Sequence, residues 1–178
     1  MSIRLGILGI GSMGRHHVRN ARATAGVDLV ALADPGGDRF GVAGDLPVLG
    51  GVEELIEAGI DAAIIAAPTA HHEAAALALA EAGVHTLVEK PLATSVEAGA
   101  RIRDAFAAAG LVGAVGYVER CNPALIDMRR RIADGQLGAI EQIATRRQSP
   151  FPARISDVGV VKDLATHDVD LAAWVAGA

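Results

Sequence analysis

Short apolar runs alternate with amphipathic stretches over the first two thirds of the chain. The apolar runs predict strands at residues 3–8, 29–33, 61–66, 85–88 and 111–117, and Val48 begins a further short strand. The amphipathic stretches predict helices at about residues 13–25, 51–58, 71–82 and 95–109. Ser95 is the expected N-cap of the last helix, and Gly83 and Gly110 are expected helix stops. This alternation predicts an α/β fold with a doubly wound parallel sheet and helices on both faces.

The pattern changes after residue 118. Residues 123–134 predict an amphipathic helix, and residues 140–148 alternate as an antiparallel strand with one solvent-exposed face does. Residues 149–156 contain two prolines and predict a loop, and a final helix is expected over 160–176. One such strand needs neighbouring strands to be stable. We therefore expect two domains, 1–118 and 119–178, the second being the incomplete start of an α+β open-sheet domain.

Composition and charge exclude several classes of protein. The chain has 178 residues, 51% hydrophobic, with a formal net charge of −5 and no basic run beyond residues 129–131, which argues against nucleic acid as a partner. Its single cysteine, Cys121, excludes an intramolecular disulfide and a cysteine-rich metal site. It has no charged leader and no apolar run near the roughly 20 residues of a membrane span. The expectation is a cytoplasmic protein without a membrane partner.

A glycine-rich turn follows the first predicted strand and opens the first helix. Gly9 permits the tight turn, Gly11 allows a pyrophosphate to approach the backbone, and Gly14 allows the helix to pack closely on the strand. The intervening Ser12 and Met13 lie at the helix N-terminus, where free N–H groups bind phosphate. These features predict a Rossmann dinucleotide site. The alternative is a Rossmann-like fold that has lost its ligand.

Asp34 ends the second strand, about 20 residues beyond the last glycine of the turn. A carboxylate there binds the ribose hydroxyls and repels a 2′-phosphate, which favours NAD over NADP. Arg39 lies close enough in sequence to leave NADP open. The alternative interpretation is a turn aspartate before Pro35.

Two other groups of residues are candidates for catalysis. Lys90 follows Glu89 at the carboxyl end of a strand, where open α/β sheets bind ligands, and an ordinary surface lysine is the alternative. Asp163 and His167 are four residues apart on the last helix, a spacing that suits an oriented acid/base and equally a surface ion pair. A metal site from these residues lacks a third ligand. Thr69 and His72 either line the cofactor cleft or cap and pack their helix.

Four segments resemble the Gfo/Idh/MocA oxidoreductases: the glycine turn, residues 66–72, the Glu89-Lys90-Pro91 triplet and residues 163–168. The resemblance implies NAD(P)-dependent oxidation or reduction of a sugar, sugar nucleotide or cyclitol. It places Lys90 near the nicotinamide, implies a cis peptide bond before Pro91, and assigns acid/base chemistry to His167 with Asp163. The expected cofactor site comprises Gly9, Gly11, Ser12, Met13, Gly14, Asp34, Pro68, Thr69, His72, Glu89 and Lys90.

A narrower resemblance points to the UDP-N-acetylglucosamine 3-dehydrogenase branch of that family, through residues 120–124 and 149–161. It implies substrate binding by Arg120, Asn122 and Arg154, with an arginine pairing with the diphosphate. Cys121 departs from the Phe more common in that branch, whereas Asp157-Val158 agrees with it. Family members continue with more strands, so we expect a homo-oligomer if the full second domain is present.

Other functions remain open at this point. One is a dinucleotide-binding sensor or assembly subunit without catalysis, and another is an inositol or simple-aldose dehydrogenase. Enzymes similar to biliverdin reductase or dihydrodipicolinate reductase are disfavoured by Glu89-Lys90-Pro91 together with Asp163 and His167.

Overall fold

The computed structural model describes residues 2–148 and 161–177. The chain divides into two units, with the boundary between Gly116 and Tyr117. In the described part, no helix is both long and apolar enough to cross a membrane.

A six-stranded parallel sheet forms the centre of the first unit. Its strands are β1 (Ile3–Leu8), β2 (Val27–Ala33), β3 (Val48–Leu49), β4 (Ala62–Ile65), β5 (His85–Glu89) and β6 (Gly113–Gly116). Their spatial order is β3-β2-β1-β4-β5-β6, with every pairing parallel. This order confirms the predicted doubly wound Rossmann sheet, in which strand order reverses between β1 and β4.

Four helices connect these strands: α1 (Gly14–Ala23), α2 (Val52–Glu57), α3 (His72–Glu81) and α4 (Val96–Ala108). Ser95 caps α4 as predicted, because its hydroxyl oxygen accepts a hydrogen bond from the Ala98 N–H (3.2 Å). Gly83 and Gly110 follow α3 and α4 with φ of +78° and +66°. Left-handed residues end helices, and glycine adopts that conformation without strain. The predicted stops are therefore confirmed.

Apolar side chains cover both faces of the sheet. On one face Leu55 of α2 and Leu79 of α3 pack with Ala31 and Ile65. On the other face Val18 of α1 packs with Ile7 and Leu32. Neighbouring residues such as Ala31 and Leu32 belong to opposite faces because side chains alternate along a strand. Small residues at the sheet surface let the helices pack closely.

The second unit contains α5 (Pro123–Ala133), a π-helical turn (Val161–Ala165) and α6 (Thr166–Ala176). The final helix thus begins with a wider turn than the predicted regular α-helix. The strand predicted at 140–148 was wrong, because these residues are exposed and form no strand in the described part of the chain. A strand requires hydrogen bonds to a neighbouring strand, and polar–apolar alternation cannot supply that neighbour. The loop predicted at 149–156 lies outside the described residues.

We expect Leu79→Ala to lower the free energy of unfolding by about 2–5 kcal/mol, because it leaves a cavity between α3 and the sheet. Leu79 is fully buried. Val96→Ala is the control, since Val96 is 84% exposed, and it should change stability by less than about 0.5 kcal/mol. Urea unfolding monitored by circular dichroism measures both. Equal losses in the two variants would contradict this description of the core.

Candidate functional site

The glycine turn is formed by close backbone contacts. Gly9 has a φ of +85°, and its N–H donates to the Ala33 carbonyl oxygen (2.7 Å). A Cβ on Gly9 would lie 2.7 Å from the Ala66 carbonyl carbon, and one on Gly14 would overlap the Gly9 carbonyl oxygen. Ile10 is 1% exposed and anchors the turn in the core. Side chains at Gly9 and Gly14 are therefore excluded by packing.

Gly11 differs from the other two glycines of the turn. A Cβ added there would meet nothing within 4 Å, so the structure itself does not require glycine. Ser12 and Met13 are exposed beside it, and Met13 occupies the N-cap of α1 without a side-chain hydrogen bond to the helix. The first-turn N–H groups of α1 therefore receive no cap from that position. Open space in front of such groups suits an anionic ligand.

Asp34 lies directly after β2, next to the turn. One carboxylate oxygen accepts a hydrogen bond from the Ile10 N–H (3.0 Å) and the other accepts one from the Gly36 N–H (2.8 Å). The carboxylate is thereby fixed between the glycine turn and the loop after β2. Each oxygen has lone pairs left for a further donor, as a ribose hydroxyl would be. The structure thus supports both the ribose-binding and the turn-forming interpretations of Asp34.

A cleft of about 420 Å³ opens at the carboxyl ends of β1, β2 and β4. Its lining includes Gly9, Asp34, Gly36, Val52, Ala67 and Pro68. Thr69 begins a short 3₁₀ turn directly after Pro68. The carboxylate residues Asp34 and Glu53 also line the cleft. Largely apolar walls with a few polar groups suit a heterocyclic base joined to a ribose. The cleft therefore fits the adenosine half of a dinucleotide.

His72, at the start of α3, is 1% exposed. Its Nε2 is 2.8 Å from the Ala67 carbonyl oxygen, and its Nδ1 is 3.0 Å from the Pro91 carbonyl oxygen. The ring thus connects the loop after β4 with the loop after β5. The sequence left two roles open for His72, lining the cofactor cleft or packing within the fold. The contacts of its ring in the structure are those of a packing residue.

The Glu89-Lys90-Pro91 segment ends β5. The peptide bond before Pro91 is cis, which confirms the expectation from the family motif. Glu89 is 7% exposed; its Oε1 lies 2.7 Å from His17 Nε2, and its Oε2 accepts a hydrogen bond from the Lys90 N–H (3.2 Å). Lys90 itself is half-buried. A buried carboxylate with two partners therefore precedes the candidate catalytic lysine.

Sequence reasoning missed the pairing of His17 with Glu89, because the two residues are 72 positions apart. A signal was present in α1, whose buried positions are Gly14, Val18 and Ala21. His17 follows Gly14 by three positions and therefore lies on the sheet-facing side of the helix. A polar residue on that side needs a partner.

The second unit carries the other catalytic candidates. His167 lies in the first turn of α6 and is partly buried. Asp163 lies within the preceding π-helical turn, and its side chain is outside the described part of the structure. The geometry of the predicted Asp163–His167 pair therefore stays a prediction.

The three predicted substrate-binding residues fall in different places. Arg120 forms a two-pronged ion pair with Asp170 of α6, which is 9% exposed, and this carboxylate raises the pKa of Arg120 above its usual value. Asn122 caps α5, since its side-chain oxygen accepts a hydrogen bond from the Ala124 N–H (3.0 Å). Arg154 lies outside the described residues.

No group of three or more His, Cys, Asp or Glu side chains within 2–148 and 161–177 is arranged to hold a metal ion.

Comparison with known proteins agrees with this geometry. Residues 3–117 match the Gfo/Idh/MocA family, described as an oxidoreductase family with an NAD-binding Rossmann fold. The chain is 33% identical to scyllo-inositol 2-dehydrogenase (NAD(+)) of Bacillus subtilis, covering 99% of this chain and 54% of the relative. It is 32% identical to UDP-N-acetylglucosamine 3-dehydrogenase of Acidithiobacillus ferrooxidans, covering 99% of this chain and 55% of the relative.

A solved structure of that Acidithiobacillus ferrooxidans enzyme superimposes with a TM-score of 0.87 over the whole of this chain and 58% of its own, at 30% identity. The chain thus spans slightly more than half the length of the relatives it matches.

Alanine at Gly11 and at Gly14 should have different effects. Gly14→Ala should lower the melting temperature by several degrees, because the new Cβ overlaps the Gly9 carbonyl oxygen. Gly11→Ala should leave the melting temperature unchanged, because its methyl group would enter open space. It should weaken NADH binding about tenfold or more, because that space is where we expect the pyrophosphate to bind. Thermal melts and NADH fluorescence titration separate the two effects. Unchanged NADH affinity in Gly11→Ala would contradict the proposed path.

Proposed function

Because the chain belongs to the NAD-binding Gfo/Idh/MocA oxidoreductases, we propose that it carries the cofactor site of an NAD-dependent dehydrogenase. The reaction is hydride transfer between nicotinamide and a carbon bearing a hydroxyl or keto group in a sugar, cyclitol or sugar nucleotide. The observation that carries this proposal is the position of Lys90. It follows β5 on the same carboxyl-end edge of the sheet as the glycine turn and Asp34.

The cofactor supplies the hydride chemistry when bound. The residues proposed to hold it are Gly9, Gly11, Ser12, Met13, Gly14, Asp34, Pro68, Thr69, Glu89 and Lys90. Buried His72 contributes indirectly, by connecting the loops after β4 and β5. Backbone amides at Gly11–Gly14 face the phosphates, and Asp34 accepts hydrogen bonds from the ribose. The two contacts of Asp34 support its part in this assignment, because they fix the carboxylate before any ligand arrives.

Lys90 is proposed to donate a hydrogen bond to the substrate oxygen that loses or gains a proton. An ammonium group there stabilises negative charge developing on that oxygen. His167 is proposed as the group that takes the proton, with Asp163 orienting its ring, and these two roles are carried over from the family motif. Imidazole suits this step because it exchanges protons near neutral pH.

Contacts in the second unit bear on the substrate class. The Arg120 guanidinium already pairs with buried Asp170, and the Asn122 side chain already caps α5. A diphosphate would have to compete with Asp170 for Arg120. This observation favours a neutral polyol such as an inositol, and a UDP-sugar stays the alternative, with Arg154 as its further anion-binding candidate.

We also propose a domain division, an oligomeric state and a cellular compartment. We assign residues 1–118 to the cofactor domain and 119–178 to part of a substrate domain. Leu137, Ile140 and Ile143 are exposed apolar residues of that second part, which supports association into a homo-oligomer. A single unpaired cysteine fits the reducing cytoplasm.

Turnover tests the proposal directly. The full-length protein should form NADH from NAD with at least one member of a panel of inositols, aldoses and UDP-sugars. Lys90→Ala should lower kcat about 100-fold or more while NADH still binds, because a positioned proton-handling group contributes that much. Arg103→Ala is the control, since the Arg103 side chain is 72% exposed, and it should leave kcat unchanged.

Tight NADH binding with no turnover across the panel would instead indicate a sensor or assembly subunit.

Replacing Asp34 tests the cofactor preference. Asp34→Asn should lower the ratio of NAD to NADP affinity about tenfold, because it removes the charge that repels a 2′-phosphate. Asp45→Asn removes the same charge from an exposed position and should leave the ratio unchanged. Titration with both reduced cofactors measures the ratio. A ratio unaltered in Asp34→Asn would show that another residue sets the preference.

A further inference from the structure

Two histidines contact the Lys90 segment from opposite ends. His17 of α1 lies against the Glu89 carboxylate, and His72 of α3 lies against the Pro91 carbonyl oxygen. Lys90 is the residue between these two anchored points, and its own N–H donates to Glu89. We infer that His17 is a positioning residue for Lys90 and acts through the Glu89 carboxylate. This inference rests on the proposed role of Lys90.

The Glu89 carboxylate has little freedom to move. A Cβ on Gly116 of the neighbouring strand would lie 3.1 Å from Glu89 Oε2, which shows how closely the carboxylate packs on that backbone. The Glu89 side chain is 10% exposed and that of His17 is 21% exposed. A buried carboxylate is costly when one of its oxygens lacks a donor, and His17 is the partner of Oε1 whereas the Lys90 N–H reaches only Oε2.

The donor in this pair is His17 Nε2, because an ionised carboxylate only accepts hydrogen bonds. At 2.7 Å the contact has the length of a charge-assisted hydrogen bond. The other carboxylate oxygen receives the Lys90 N–H at 3.2 Å. Loss of the His17 donor would free the carboxylate to rotate, and the Lys90 backbone would lose its fixed partner.

His17 also links this segment to the dinucleotide site. It lies one helical turn after Gly14, on the helix whose N-terminus faces the proposed phosphates. One rigid helix therefore presents the anion-binding amides at its first residues and the Glu89 donor one turn later. The His17–Glu89 pair therefore adds a direct side-chain link between α1 and the lysine segment to the connection that the shared sheet already provides.

Three variants test the inference. His17→Gln keeps an amide N–H near the position of the ring Nε2, His17→Leu removes the donor, and His16→Leu is the matched control one position away. In the full-length protein with an active substrate, His17→Leu should lower kcat about tenfold, which corresponds to the loss of about 1.4 kcal/mol of positioning. His17→Gln should stay within about threefold of the unmodified protein, and His16→Leu should equal it.

The split between kinetic constants separates positioning from general destabilisation. The KM for NAD and the Kd for NADH should change less than about twofold in His17→Leu, because the glycine turn is untouched. Glu89→Gln should also lower kcat, and the double variant should lose little more than His17→Leu alone, since both act through one contact. An unchanged kcat in His17→Leu would overturn the inference. The inference would also be overturned if His17→Leu lowered both the melting temperature and the NADH affinity and His17→Gln did not restore them.

A readout independent of turnover uses the two lysines of the sequence, Lys90 and Lys162. Reductive ¹³C-methylation gives each an NMR signal. The Lys90 signal should shift in His17→Leu and return in His17→Gln, while the Lys162 signal serves as the internal reference. If the protein turns over no sugar and the Lys90 signal still responds, the proposed function fails and the positioning contact stands. An unchanged Lys90 signal in His17→Leu would overturn the inference whether or not turnover is found.

Discussion

Gly9 follows β1, and Ala66 follows the neighbouring strand β4. The two lie so close that a Cβ on Gly9 would be 2.7 Å from the Ala66 carbonyl carbon. The Gly9 N–H is bonded to Ala33 on the other side, so one residue touches the ends of β1, β2 and β4 together. This contact sets the direction in which the chain leaves β1 and enters α1. The cleft, Asp34 and the N-terminus of α1 all take their positions from it. A side chain at Gly9 would move each of these elements at once.

Local sequence patterns predicted the features that depend on neighbouring residues in the chain. The alternation of strands and helices, the glycine turn, the Ser95 cap and the helix stops follow from short-range periodicity and turn chemistry. The spatial order of the strands is known only from the structure. The prediction of a strand at 140–148 was wrong, because polar–apolar alternation indicates which side of a strand would be exposed but does not provide a neighbouring strand to pair with. The cis bond before Pro91 came from a family motif, since backbone periodicity carries no information on peptide isomers.

The contacts that sequence reasoning missed join distant residues. His17 and Glu89 are 72 positions apart, and Arg120 and Asp170 are 50 apart. In each pair the acid is buried, so hydrogen bonds from its partner offset the cost of removing the carboxylate from water. The narrower family resemblance assigned Arg120 to a substrate diphosphate, because the sequence shows no partner for it. In the structure that partner is Asp170 of α6. Binding of a substrate anion at Arg120 would therefore require a second cation nearby.

The buried acids have different consequences in the two units. Asp170 raises the pKa of an arginine that is charged at any relevant pH, so its effect is on geometry rather than protonation. Glu89 lies one residue from the lysine proposed to act in catalysis and one hydrogen bond from the helix proposed to bind the phosphates. A substitution that shifts α1 would therefore disturb phosphate binding and the lysine together. Cofactor affinity and lysine placement are thus coupled when α1 moves as a whole, whereas a change confined to the His17–Glu89 contact affects the lysine alone.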